Sequence, residues 1–171
     1  MKRIAKFYKV TEAQFEKDWK DSFAEDCAEN WKKVYDEIKL PRRATAGSAG
    51  YDFFTTLDVE LAPGETIKIP TGIRARMDEG WVLKLYPRSS LGFKYRLQLN
   101  NTVGIIDSDY FNAANEGHIF IKITNDSNEG RNLSMKSGEA FAQGLFIEYG
   151  ITEDDECSAE RTGGLGSTGR H

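Results

Sequence analysis

With 171 residues and a net charge of −4, the chain has the length of one domain, or one domain with an appendage, and enough of it for a real hydrophobic core. The acidic balance excludes a binder of nucleic-acid backbone, which needs a basic surplus to displace counterions from phosphates, but leaves room for a small anionic ligand served by a few local Arg and Lys. Cys27 and Cys157 lie far apart without metal-type spacing, and no apolar run approaches membrane-spanning length, so reduced thiols, no membrane contact and a cytoplasmic location are expected.

Residues 2–10 alternate loosely and predict a first strand. The texture then changes. Thr11 and Gln14 stand in capping-box positions, and Phe15, Trp19, Phe23, Cys27, Trp31, Tyr35 and Ile38 follow at helical spacing. This predicts one long amphipathic helix over 11–38, with Asn30 as the place where it would break. The bland use of such a stripe is docking on the body of the protein; docking a protein partner is the minority use.

After the loop-like "LPRRATAGSAG" the chain breaks into short strand-like runs, with turn signals at Pro63-Gly64 and Asp78-Glu79-Gly80. Similar runs recur at "RLQLNNTVGIID", "HIFIKITN", "RNLSM" and "EAFAQGLFIEY". Many short strands at this spacing predict a mainly β, jelly-roll-like fold with one helical insertion. The tail "CSAERTGGLGSTGRH" is too rich in Gly, Ser and Thr to pack as an element.

Three segments carry chemistry. In "YPRSSLGFK" Arg88 offers a guanidinium that can hold two oxygens at once, and Ser89 and Ser90 offer hydroxyls, an inventory suited to phosphate. A Ser-Ser turn capping a local helix is the plainer reading of the same residues. In the tail, glycines let backbone amides approach an anion, Ser167 and Thr168 add hydroxyls, and Arg161 and Arg170 add charge. "LNNTVGIIDSDY" is the sharpest: Asn101 can donate and accept along a pyrimidine edge, Gly104 admits close backbone approach, Asp107 can take a proton from water, and Tyr110 offers a flat face to a ring or sugar. Its plain alternative is a hairpin with a polar turn.

Taken in order, "AGSAGYD", "PRSSLG", "NTVGIIDSDY", "GEAFAQ" and "GGLGSTG" resemble the five motifs of the homotrimeric dUTP pyrophosphatase (dUTPase) family over residues 40–171. The resemblance implies the jelly-roll-like β-clip fold of that family in a single domain over 1–171, with 11–38 as an insertion and 158–171 as a flexible lid. It implies hydrolysis of dUTP to dUMP and pyrophosphate with Mg2+ on the triphosphate, which limits uracil in DNA and supplies dUMP.

Carried over position by position, Asp107 matches the carboxylate that deprotonates the attacking water. Asn101, with the backbone around Gly104, matches the uracil reader, and Tyr110 matches the residue that packs under the deoxyribose and excludes a 2′-hydroxyl. Arg88, Ser89, Ser90 and Gln143 match phosphate contacts, and Asp52 matches an acid that supports the metal-water network without ligating the metal directly. In the tail, Arg161, Gly164, Leu165, Gly166, Ser167 and Thr168 match a phosphate-binding lid donated by a neighbouring subunit.

Several positions depart from the family pattern. "FNAANEGHI" adds residues after Tyr110 and puts His118 where an acid is expected; Ala140 replaces an Arg, and Leu165 replaces a Phe that covers uracil. Two alternatives stay open: a dCTP deaminase, alone or bifunctional, on the same fold, with Glu116 and Glu148 as the acids to check, and a regulatory binding protein that uses the 11–38 helix.

Overall fold

The computed structural model describes residues 2–23, 29–159, 161 and 163. In chain order the elements are β1 (Ala5–Lys9), α1 (Glu12–Ser22), α2 (Trp31–Glu37), β2 (Arg42–Arg43), β3 (Tyr51–Phe54), β4 (Val59–Leu61), β5 (Thr66–Pro70), β6 (Ile73–Met77), β7 (Trp81–Pro87), α3 (Ser89–Tyr95), β8 (Gln98–Leu99), β9 (Gly104–Ile106), a 3-10 turn (Ser108–Asn112), β10 (Phe120–Thr124), β11 (Leu133–Met135) and β12 (Ala140–Glu148). The fold is mainly β, as the short alternating runs predict.

Alternation is what makes these runs strands. Ile73, Ala75 and Met77 of β6 point inward and are buried while Arg74 and Arg76 point outward, and Ile121 and Ile123 do the same in β10. The predicted turns fall at Gly64 and Gly80, both at positive φ that a side chain would strain. The sheets are antiparallel. The largest runs β2-β3-β12-β7-β9, a second runs β5-β10-β8, and β1 pairs with β6 and β4 with β11. Their inner faces share one core, in which Phe53, Ile69, Leu83, Ile119, Leu133 and Phe141 are almost fully buried.

Among the described residues, the 11–38 segment folds as two short helices instead of one long one. Phe23 already leaves helical conformation (φ −132°, ψ 151°), upstream of the expected break at Asn30, and its ring returns onto Trp19 at 4.6 Å. Trp31, Val34, Tyr35 and Ile38 then pack around Phe15 and Trp19, closing a second small core. The apolar stripe is thereby divided into two faces that bury each other, which a straight helix on a curved β surface could not do. Cys27 lies outside the described residues.

Only half of the expected capping box forms. Thr11 Oγ1 accepts the Gln14 N–H at 3.3 Å, but the Gln14 amide turns to Asp18, and the Thr11 N–H is taken at 2.8 Å by Glu116 from the other end of the domain. The helix pair sits on the β5–β6 turn, where Gly72 (φ +70°) lies against Ile38 and Phe15 so closely that a Cβ would collide with Ile38.

Candidate functional site

The sheet register gathers the phosphate-type residues. Gln143 on β12 is paired with Asp52 of β3 on one side and Tyr86 of β7 on the other, so one row across the sheet ends beside Arg88. Asp52, Arg88 and Gln143 line a cleft of about 500 Å³ with Ser89, Ser90 and the Ser48–Gly50 stretch. Arg88 Nε lies 3.3 Å from Asp52 Oδ1, and Gln143 Nε2 donates to the Pro87 carbonyl at 3.2 Å. Ser89 and Ser90 open α3, where the Leu91 and Gly92 N–H groups already donate to the Arg88 carbonyl, so the two hydroxyls, the Gln143 amide and a guanidinium face one space. A Cβ at Gly50 would stand 2.8 Å from Gln143 Oε1, so glycine leaves the Gln143 amide room to keep this place.

A second cluster is built on β9. Asp107 follows this strand, half-exposed, and the 3-10 turn places Asp109 and Tyr110 next to it. Arg161 from the tail spans both acids, with Nη2 at 2.6 Å from Asp107 and Nε at 2.8 Å from Asp109, and its guanidinium lies over the Tyr110 ring at 5.6 Å. Tyr110 is buried, its hydroxyl donates to the His118 carbonyl at 2.8 Å, and burial pushes that hydroxyl's pKa up, with the Asn115 amide working against the rise. Asn101 is exposed in the turn that leads into β9, where Thr102 adopts φ 64°. Gly104 is glycine for packing: a Cβ would stand 3.0 Å from Leu85 Cβ across the β7–β9 pair.

The two clusters do not meet in one chain. β9 runs antiparallel to β7, pairing Ile106 with Leu83 and Gly104 with Leu85, so it carries Asp107 away from Arg88. At ~3.4 Å per residue, the step from the Ile106 level to Arg88 is roughly 17 Å. Arg161 accordingly sits with the acids and not with Arg88. Gly164, Leu165, Gly166, Ser167 and Thr168 lie outside the described residues.

Sequence reasoning missed a third group behind Tyr110. His118 is fully buried; its Nε2 accepts the Gly72 N–H at 2.8 Å, which leaves Nδ1 to carry the proton and donate to Asp18 Oδ2 of α1 at 2.6 Å. Burial works to raise the Asp18 carboxyl, but hydrogen bonds from His118 and Gln14 outweigh it and hold its pKa below the usual value. Arg74 is also recruited, with its guanidinium 3.7 Å from the Phe111 ring centre and Nη2 donating to the Phe111 carbonyl. The displacement of an expected acid by His118 was the one signal of this group in the sequence.

Of the two acids to check for a deaminase, Glu116 is spent on the Thr11 N–H and hydroxyl, and Glu148 lies at the Trp81 end of β7, away from Arg88. Among the described residues no cluster of three or more His, Cys, Asp or Glu could hold a metal, and no helix is long and apolar enough to cross a membrane.

Fold and cleft together define a mainly β protein whose cleft gathers a guanidinium, hydroxyls and an amide, a set chemically suited to an anion, with a carboxylate set apart on a neighbouring hairpin. Comparison with known proteins specifies the class. The dUTPase family model matches residues 36–169, and the chain belongs to that family. A deoxyuridine 5′-triphosphate nucleotidohydrolase of Lactococcus lactis subsp. lactis is 45% identical over 135 residues, covering 77% of this chain and 89% of the relative. The crystal structure of a dUTPase from Streptococcus mutans is 34% identical, with a TM-score of 0.63, over 86% of this chain and 98% of that one. A mutant dUTPase from phage phi11 of S. aureus, whose structure shows coordination of a structural Mg(II) ion, is 23% identical with a TM-score of 0.56 over 71% of this chain and 91% of that one; at that distance the likeness concerns the fold.

Proposed function

We propose that this chain hydrolyses dUTP to dUMP and pyrophosphate as a homotrimer in the cytoplasm. The observation that carries the reading is the division of the family's motif residues into two half-sites, phosphate contacts in the Asp52–Arg88–Gln143 cleft and the base on the β9 hairpin, which only a second chain can bring together. The whole of 1–171 acts as one dUTPase-like unit, with 158–171 as the lid.

Arg88, Ser89, Ser90 and Gln143 hold the triphosphate, and a water placed at the α-phosphorus loses its proton to Asp107 as pyrophosphate departs. In the lone chain Asp107 is engaged by Arg161. An incoming triphosphate competes for that guanidinium, and its turn toward phosphate frees the carboxylate for water and uncovers the Tyr110 face for the deoxyribose. Asn101 and the turn around it read the uracil edge, and the apolar Leu165 of the tail covers it where an aromatic ring is usual. Phe93, 92% exposed on α3, is an aromatic free to assist.

The donor set fits Mg2+ carried in on the substrate. The cleft offers a single carboxylate, Asp52, and that is tied to Arg88, so phosphate oxygens and waters would supply the ligands with Asp52 holding a water from outside. Bound in this way, the ion neutralises charge on the triphosphate. The burial of Phe15 and Trp19 within the chain weighs against a partner-docking role for the insertion.

The test is a panel of dUTP, dCTP, dTTP and UTP with Mg2+, following pyrophosphate and ammonia separately in the wild type and Asp107→Asn. Pyrophosphate from dUTP, lost by about 10²–10⁴-fold in the variant with nucleotide binding retained, is the expected result. Ammonia from dCTP, or near-normal turnover in Asp107→Asn, overturns the assignment.

A further inference from the structure

Two stretches depart from the family pattern in this chain, the helical insertion at 11–38 and the extended loop at 111–118, and the fold brings them into contact. Three ties join them. Thr11, the cap of α1, gives its N–H and hydroxyl to Glu116 at 2.8 and 2.6 Å. Asp18, one turn beyond Phe15 on the buried side of α1, accepts the His118 Nδ1–H at 2.6 Å. The His118 ring is itself clamped between Phe15 at 6.0 Å and Phe120 at 4.4 Å, with Gly72 N–H fixing its tautomer.

The loop in turn holds Tyr110. The His118 carbonyl accepts the Tyr110 hydroxyl at 2.8 Å, and the Asn115 amide donates to the Tyr110 hydroxyl oxygen at 2.8 Å. Gly117, at φ +70°, lets the loop close on the Tyr110 backbone, where a Cβ would stand 2.5 Å from the Tyr110 carbonyl oxygen. Tyr110 N–H donates to the Asp107 carbonyl at 3.2 Å, so the ring and the acid share one short segment.

We infer that Asp18 of the insertion is a positioning residue for sugar selection: acting through His118, it fixes the depth and tilt of the Tyr110 ring and thereby the exclusion of ribonucleotides. The inference rests on the reading of Tyr110 as the deoxyribose contact. A buried histidine with one nitrogen committed to backbone and the other to a carboxylate cannot rotate, and its carbonyl cannot move without breaking those bonds. Without the Asp18 acceptor, Nδ1–H is left unsatisfied in an apolar setting, and the 115–118 turn shifts to find a partner. Tyr110 follows its acceptor. A displacement of a few tenths of an ångström under the sugar admits a 2′-hydroxyl without disturbing the phosphate cleft, which lies on other strands.

The experiment compares kcat/KM for dUTP and for UTP in the full-length wild type, Asp18→Ala, Asp18→Asn and Tyr110→Ala. Asp18→Ala is expected to lower the dUTP-to-UTP ratio roughly tenfold or more, while Asp18→Asn, whose amide oxygen still accepts from Nδ1–H, keeps it within about twofold. Should Asp18→Ala not fold, Asp18→Ser, which retracts the acceptor but leaves a polar group, takes its place. A lower melting temperature with the ratio unchanged in Asp18→Ala, beside a collapsed ratio in Tyr110→Ala, overturns the inference alone. An unchanged ratio in Tyr110→Ala overturns the reading of Tyr110 and the inference with it.

Discussion

The separation of Arg88 from Asp107 makes a quantitative prediction about mixed assemblies. A carboxylate acting as base has to lie within ~3 Å of its water, or one water further away. The β7–β9 register sets the hairpin of the same chain roughly 17 Å along the strand from the phosphate contacts, too far for one bound nucleotide to engage both. Arg88→Ala and Asp107→Asn are therefore each expected to be inactive alone, for different reasons, and to complement when mixed. In a cyclic trimer that takes its phosphate half-site from one protomer and its base from the next, random exchange of the two variants at equal amounts leaves a given site intact with probability one half times one half, about a quarter of wild-type turnover per site. The assay is pyrophosphate release from dUTP after co-refolding differently tagged variants, with exchange verified by native mass. Restoration near that fraction supports a shared site. Activity that stays at the level of the separate variants, in trimers shown to be mixed, refutes it, as does full activity from a monomer.

Three further outcomes follow from the packing and the charges. Phe15→Ala empties the fully buried centre of the insertion, and a loss of about 3–5 kcal/mol, a melting shift on the order of 10 °C, should appear in thermal unfolding at fixed protomer concentration; a shift under about 2 °C would show that the helices are not coupled to the body. Deleting 161–171 should abolish turnover and leave the melting transition nearly in place, because the only described side chain removed is Arg161, whose ion pairs reach half-exposed acids worth little to stability; loss of the transition refutes this. Asp18 has its folded pKa held below the ordinary 3.8, so its stabilising contribution is full above about pH 4 and is lost as pH falls through the folded value. Denaturant titrations should show the wild type more stable than Asp18→Asn at pH 7 and the gap closing toward pH 3; a gap that widens on acidification contradicts the sign.

The grouping of Arg88, Ser89 and Ser90 was legible in the sequence because they are consecutive, and the order of the family's motifs pointed to Asp52 and Gln143, which the strand register places in the same cleft. What the sequence hides is contact between distant segments. Asp18 and His118 are 100 positions apart, and in a linear reading each looks like an ordinary surface polar group; only the turn of Gly72 brings α1 against the loop. The early end of α1 was hidden for a related reason. Helical periodicity persists across 11–38, and Asn30 does cap the second helix, but α1 already ends at Ser22, where the Phe23 ring turns to within 4.6 Å of Trp19. Gly104 invited a ligand, and its missing Cβ also makes room for Leu85, which a sequence alone does not reveal because a missing Cβ reads the same whichever neighbour fills its space.

The same backbone rule that assembles the cleft also exiles the base. β12 can collect Asp52 and Gln143 beside Arg88 only by lying between β3 and β7, which leaves the other edge of β7 for β9. Antiparallel pairing on that edge then directs the chain away from the cleft, so a short connection through α3 and β8 necessarily delivers Asp107 to the far end. A single protomer thus keeps the Arg88–Gln143 cleft and the Asp107 carboxylate apart, and its Asp107 is further engaged by Arg161 at 2.6 Å. On the proposed reading, both restraints would be relieved together once a neighbour supplied the cleft and a triphosphate drew the guanidinium away. Strand order, which keeps Asp107 from Arg88 within one chain, is then what would tie turnover to assembly.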